Sequence, residues 1–144
     1  MSSYRYPEPP RLEDIEPATH TEVLVADSRV DQGRIRAVLE GIFDAHPTLG
    51  SIFELRADTW TPRPGGGWGW AVEPPGGNVV DVIGRQRGSF DVHTGRLFAA
   101  SLLPGARDRV VLTASRLCMD FASWQAVVDE LVSGYGGGLA RRAA

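Results

Sequence analysis

The sequence predicts an α+β fold, a mostly antiparallel sheet packed by helices. Three observations carry this. Residues 97–103 and 109–115 are apolar runs of strand length, joined by Pro104-Gly105-Ala106-Arg107-Asp108, a segment of turn-forming residues. Residues 31–45 and 123–135 repeat apolar side chains at helical period. Helical and strand patterns are interspersed along the rest of the chain, with several strands reading as sequential hairpins.

Residues 1–18 hold Pro7, Pro9, Pro10 and Pro17. Proline fixes φ and removes a backbone donor, so an extended arm is expected here. Its Tyr4, Tyr6, Leu12 and Ile15 offer side chains with which to dock on the body. In residues 21–26, Val23 and Val25 alternate with Glu22 and Leu24, the mark of a partly buried strand. The helix over 31–45 places Ile35, Val38, Leu39, Ile42 and Phe43 on one stripe, with Asp31 as its cap and Pro47 as its stop. Residues 51–55 read as the next strand. Residues 59–61 and 68–72 read as a hairpin across the Pro-Gly-rich stretch 62–67. Asn78 can cap a short helix over 79–85. The last helix, 123–135, gathers Trp124, Val127, Val128, Leu131, Val132 and Tyr135 on one face, and Gly136, Gly137 and Gly138 end it. The organisation expected is an arm at 1–18, a single body at 19–138 and a flexible tail at 139–144.

Composition narrows the function. At 144 residues, 42% hydrophobic and 23% charged, the chain has the makeup of one globular domain with a real core. Its net charge of -3, with no basic block beyond Arg141-Arg142, argues against nucleic acid, because phosphate binding needs clustered cations. No apolar run approaches the roughly 20 residues that span a bilayer, and Met1 to Pro7 holds no apolar signal core, so a cytoplasmic location is expected. Cys118 is the sole cysteine, which rules out an intrachain disulfide.

No cofactor or metal is expected. His20, His46 and His93 are scattered, and none is close in sequence to Cys118. His46 suits a helix C-terminus and His93 a solvated turn. Cys118 sits in an apolar stretch and reads as a structural thiol more readily than as a nucleophile. Ser115 lacks the glycine-flanked elbow of a serine nucleophile. The glycines of Gly65-Gly66-Gly67-Trp68-Gly69-Trp70 are followed by no Lys-Ser pair and no helix, so they form no phosphate loop. Trp60, Trp68 and Trp70 read either as cross-strand packing or as an aromatic surface for a partner.

Three stretches, in order and at the right spacing, resemble the N-terminal half of a condensation domain of nonribosomal peptide synthetases. That superfamily has the chloramphenicol-acetyltransferase-like fold. Phe43-Asp44-Ala45-His46-Pro47-Thr48-Leu49-Gly50-Ser51-Ile52-Phe53 is similar to the family's helix end and following strand. Phe90-Asp91, with Gly95-Arg96-Leu97 and the strand after it, is similar to the family's Phe-Asp and Gly-Pro-Leu segments. Ser115-Arg116-Leu117-Cys118-Met119-Asp120-Phe121 takes the place of its His-His-x-x-x-Asp-Gly loop. The resemblance runs over residues 21–135 and implies a single chloramphenicol-acetyltransferase-like lobe.

The departures bear on function. Asp120 keeps the motif's aspartate, while Ser115 and Arg116 stand where the family has its two histidines and Phe121 where it has glycine. The family's second histidine is thought to act as a base or to orient the acceptor amine. A guanidinium is always protonated and has no acceptor, so Arg116 cannot replace that base. Gly50 stands where the family has an arginine that pairs with the aspartate, which suggests an Arg116–Asp120 ion pair instead. The sequence also supplies only the first of the family's two subdomains. The resemblance with these departures implies a catalytically silent, truncated module that binds in a peptide (or mixed polyketide) assembly line. Its partner would be a peptide-synthetase domain, a carrier protein or a tailoring enzyme, and a homodimer could cover the face that a second lobe would meet. The alternative is half of an acyl or peptidyl transferase, active as a dimer or with a separate second lobe.

Overall fold

In a computed structural model, residues 19–54, 59–62 and 67–141 are described. The expected arm at 1–18 lies outside the described residues, as do residues 142–144 of the expected tail.

Strand β1 (Thr19–Ala26) opens the fold. Helix α1 (Gln32–Ala45) follows, capped by the Asp31 carboxylate, which accepts from Arg34 N at 3.1 Å. A 3₁₀ turn (Pro47–Gly50) leads into β2 (Ser51–Glu54), and β3 (Thr59–Pro62) and β4 (Gly69–Val72) come next. Helix α2 (Val79–Gly88) is capped by Asn78, which accepts from Val80 N at 2.7 Å. Strands β5 (Phe98–Leu103) and β6 (Arg109–Ser115) precede helix α3 (Phe121–Tyr135) and a short β7 (Leu139–Arg141). Five strands form one sheet in the order β4-β5-β6-β1-β7, and β2 and β3 pair separately. All neighbours in the main sheet are antiparallel except β4 and β5.

The pleat divides the sheet's two faces. Leu24, Phe98, Leu102, Val110, Leu112 and Ala114 belong to the core that takes in α1 and α3. From the helices come Ile35, Leu39, Ile42 and Phe43 on α1, and Trp124, Val127, Val128, Leu131 and Tyr135 on α3. These are the two apolar stripes read from the sequence. Among the residues expected inside, Leu39, Ile42, Val127, Val128 and Leu131 are buried and Val38 is half-buried. The other face carries a smaller core of Val82, Leu103 and Val111 beneath α2. Between α2 and the sheet, Gln86 donates to Ser101 Oγ and Val111 O, both at 3.0 Å, and accepts from Thr113 Oγ1 at 3.1 Å. Its amide is therefore satisfied in burial.

Two expectations are corrected. The hairpin proposed for 59–61 and 68–72 does not form: β3 pairs with β2, and β4 runs parallel to β5. A parallel pair needs a crossover too long for a tight turn, and α2 provides it between β4 and β5. The tail expected at 139–144 is ordered over Leu139–Arg141 as β7. Gly136, Gly137 and Gly138 hold φ values of 91°, 110° and 89°. This backbone is accessible to glycine without a Cβ penalty, and it sends the chain back along β1. Arg141 then ties the edge down through Glu22 and Asp129, both at 2.9 Å.

Candidate functional site

The loop between β6 and α3 carries the residues singled out in the sequence. Ser115 closes β6 and is buried; its Oγ accepts from Leu117 N at 3.1 Å, a hydroxyl-stabilised turn. Its carbonyl accepts from Cys118 N at 3.2 Å and from the Cys118 thiol at 3.0 Å. Asp120 is the N-cap of α3, accepting from Ser123 N at 2.8 Å. Because the cap is Asp120 itself, the helix begins at Phe121, two residues before the expected start.

The titration of these groups follows from their surroundings. The Ser123 backbone N–H, then its hydroxyl, hold the Asp120 carboxyl below the usual carboxylate range, and the neighbouring His20 adds to this. Burial pushes the Cys118 thiol up to about 12. Near neutral pH this keeps the thiol protonated.

The expected Arg116–Asp120 ion pair is not formed. Arg116 is exposed on the turn, and the Asp120 carboxylate is engaged by the first turn of α3 instead. The helix N-terminus offers unpaired N–H groups within the next three residues, whereas Arg116 would have to fold back over the turn to reach the same oxygens. Gly50, where the resemblance places an arginine, is buried at the end of the 3₁₀ turn.

A residue absent from the sequence-based site lies against this loop. His20 on β1 is buried, with Nε2 3.0 Å from Met119 O. Its ring stacks on Trp124 at 5.5 Å and 11°, and meets Phe121 at 6.4 Å. The β1–β6 register, which sets His20 opposite Ala114, brings it there across 99 residues of sequence. Phe121 is 65% exposed beside it. The loop thus presents a free guanidinium, a capped carboxylate and an exposed ring. Its one neighbouring imidazole is engaged with a main-chain carbonyl, and its serine and thiol are spent on local hydrogen bonds.

The three tryptophans are not brought together in one sheet. Trp60 lies on β3, opposite Phe53, and Trp70 lies on β4. Trp68 and Trp70 are half-buried, with centroids 6.1 Å apart, and Trp68 packs on Phe98 at 5.8 Å. For these two, packing accounts for much of each ring.

No protein-family model matches the chain. Over 56 residues, 38% of the chain, it is 34% identical to a nonribosomal peptide synthetase of Emericella nidulans, nlsA, of which it covers 1%. Solved structures share its fold. The epimerization domain from the third module of tyrocidine synthetase B superposes with a TM-score of 0.70 over 81% of the chain and 29% of that structure, at 16% identity. A starter condensation domain of rhizomide synthetase superposes at 0.69 over 82% and 31%, at 15% identity. The complex of the X-domain and OxyB from teicoplanin biosynthesis gives 0.67 over 88% and 30%, at 16% identity. The chain therefore has the fold of a condensation-domain lobe, and it spans about a third or less of the length of these proteins. None of its described helices is long and apolar enough to cross a membrane.

Proposed function

We propose that this chain is a catalytically silent condensation-like lobe that works in nonribosomal peptide assembly as a binding module. The observation that carries this reading is Arg116. By the sequence resemblance it stands where the motif has its second histidine; it lies at the exposed turn after β6 and is a permanent cation. The neighbouring groups do not replace the lost base: Ser115 and Cys118 are bonded into the turn, and Asp120 caps α3. The fold supports a place beside other synthetase domains. That an X-domain of the same fold is found in complex with OxyB supports a role in holding a partner. The partner is a peptide-synthetase domain, a carrier protein or a tailoring enzyme acting on carrier-bound substrate.

The test joins two assays. The purified chain is mixed with an acyl-loaded donor carrier and an aminoacyl-loaded acceptor carrier, and product is followed by mass spectrometry. In parallel, the tagged chain is used to recover synthetase subunits from its host. The expected result is no condensation product, together with specific recovery of a synthetase subunit or tailoring enzyme. Product formation by the chain, by itself or with the recovered partner supplying only a second lobe, would replace this reading with that of a half-transferase.

A further inference from the structure

Strand β4 is an edge of the five-stranded sheet, and its side chains do little to blunt it. Natural edges are guarded by charge, proline or a bulge. The other edge, β7, carries Arg141, tied to Glu22 and Asp129. β4 reads Gly69-Trp70-Ala71-Val72, without charge or proline. Val72 is 43% exposed, although it is a large apolar side chain. Glu73, which follows, is buried, and its charge is matched by Arg85 at 2.7 Å.

The register shows which main-chain groups this edge offers. Glu73 N–H donates to Leu102 O at 2.8 Å, so position 73 turns its main-chain groups toward β5. The direction alternates along a strand, so Gly69 and Ala71 turn the same way. The N–H and C=O of Trp70 and Val72 point outward, where no described strand meets them. The side chains alternate too: Trp70 packs against the main core, Val72 shares its face, and Gly69, Ala71 and Glu73 lie on the other.

These groups are complementary to a second copy of the same strand. In an antiparallel pair about a two-fold axis at Ala71, Trp70 of each copy faces Val72 of the other. Such a pair exchanges both N–H···O bonds, so the outward groups of both strands are satisfied. Trp70, half-buried in one copy, then lies beside the exposed Val72 of the other, an aromatic ring against a β-branched side chain. On the opposite face Ala71 meets Ala71 at the closer spacing, which its small side chain tolerates, and Glu73 meets Gly69, which has no side chain. Pro74 and Pro75 have no N–H, so the pairing stops there. No charge on β4 is set against its own copy, as Arg141 would be in a self-paired β7.

We infer that β4 pairs antiparallel with β4 of a second copy, joining two five-stranded sheets into one across a two-fold axis. So short a strip buries less than about 1,200 Å², so the dimer is expected to be weak and reversible. The inference is independent of the partner-binding reading, since Arg116 and Asp120 follow β6, which β5 separates from β4.

The full chain is followed by sedimentation velocity from about 1 μM to about 1 mM, with hydrogen exchange read at Trp70 and Val72. A dimer is expected within that range, and both amides should gain protection as it forms. Val72→Pro removes an outward N–H that the single copy does not use, and proline is tolerated at such an edge position. It should weaken the dimer at least about tenfold with a parent-like circular dichroism spectrum. If it fails to fold, Val72→Lys takes its place, with the same loss expected from a charged edge. Val80→Lys, at an exposed valine on α2, should leave association unchanged. Ala71→Cys should give a disulfide-linked dimer on mild oxidation, because directly opposed residues bring their Cα atoms within bridging range. A monomer throughout, equal association in the Val72 variants and the parent, an equal loss in Val80→Lys, or no linked dimer from Ala71→Cys would overturn the inference. So would Trp70 and Val72 amides already protected in the monomer, since another part of the same chain would then cover the edge.

Discussion

Asp108 joins two parts of the fold that are distant in sequence, and its removal should be felt more than its place in a turn suggests. It lies just before β6 and is 5% exposed. One carboxylate oxygen accepts from the buried Val30 N–H at 2.9 Å, and the other pairs with Arg29. Asp108→Ala leaves the Val30 donor without its acceptor, a loss of about 1–3 kcal/mol. The Arg29 pair adds less than about 1 kcal/mol, because that guanidinium is mostly in solvent. The bond from Ala26 N to Asp108 O, 2.9 Å, belongs to the main chain and survives. The expected cost is about 2–3 kcal/mol for Asp108→Ala, and less for Asp108→Asn, which keeps an acceptor for Val30. Urea unfolding at neutral pH, with the slope unchanged, reads both. Acid adds a second axis. Burial pushes the Asp108 carboxyl upward, but the Val30 and Arg29 hydrogen bonds, the Arg29 charge and the Gly105 N–H together outweigh it and hold it below the usual range. A lowered carboxyl stabilises the fold above its unfolded value of about 3.9, and that contribution is lost as pH falls through the folded value. The gap between parent and Asp108→Asn should therefore narrow on acidification. If Asp108→Ala unfolds within about 0.5 kcal/mol of the parent, the junction contributes nothing and the reasoning fails.

Leu131, fully buried on α3, should cost about 2–5 kcal/mol when truncated to alanine, and a change below about 1 kcal/mol would remove it from the core. Arg116→Ala should melt with the parent, since its guanidinium makes no ion pair with Asp120; a clear drop in Tm would restore that pair. Asp120→Ala should lower Tm by uncapping α3 while Asp120→Ser retains most of it, and equal melts for all three would deny the cap a role. The Cys118 thiol, held up near 12 by burial, should react slowly with an aromatic disulfide at pH 8 and stoichiometrically once urea is added. Fast reaction of the native protein would show the thiol to be exposed.

The sequence makes local structure legible where one element carries its own signal. Asp31 and Asn78 mark the starts of α1 and α2, and the apolar stripes on α1 and α3 name the core residues. Pairing is less legible, because it depends on partners far along the chain. Nothing near Trp68 announces a parallel neighbour at Phe98–Leu103, and the three glycines that end α3 give no sign that they also turn the chain back along β1. The site divides the same way. The position of Asp120 is visible from the motif, but its bond to Ser123 and not to Arg116 depends on where α3 begins. His20 was hidden because only the β1–β6 register places it beneath the loop.

The return of the chain as β7 sets where Arg141 lies relative to Thr19. β1 and β7 are antiparallel neighbours, with Leu24 opposite Arg141 and Ala26 opposite Leu139. At Arg141 the chain lies beside Leu24, near the Ala26 end of β1, while Thr19 stands at the other end of that strand. Arg141 therefore shares an end of the sheet with the β5–β6 turn, and Thr19 shares the other end with Ser115 and the motif loop, so that labels placed at Thr19 and Arg141 would report on opposite ends of the lobe.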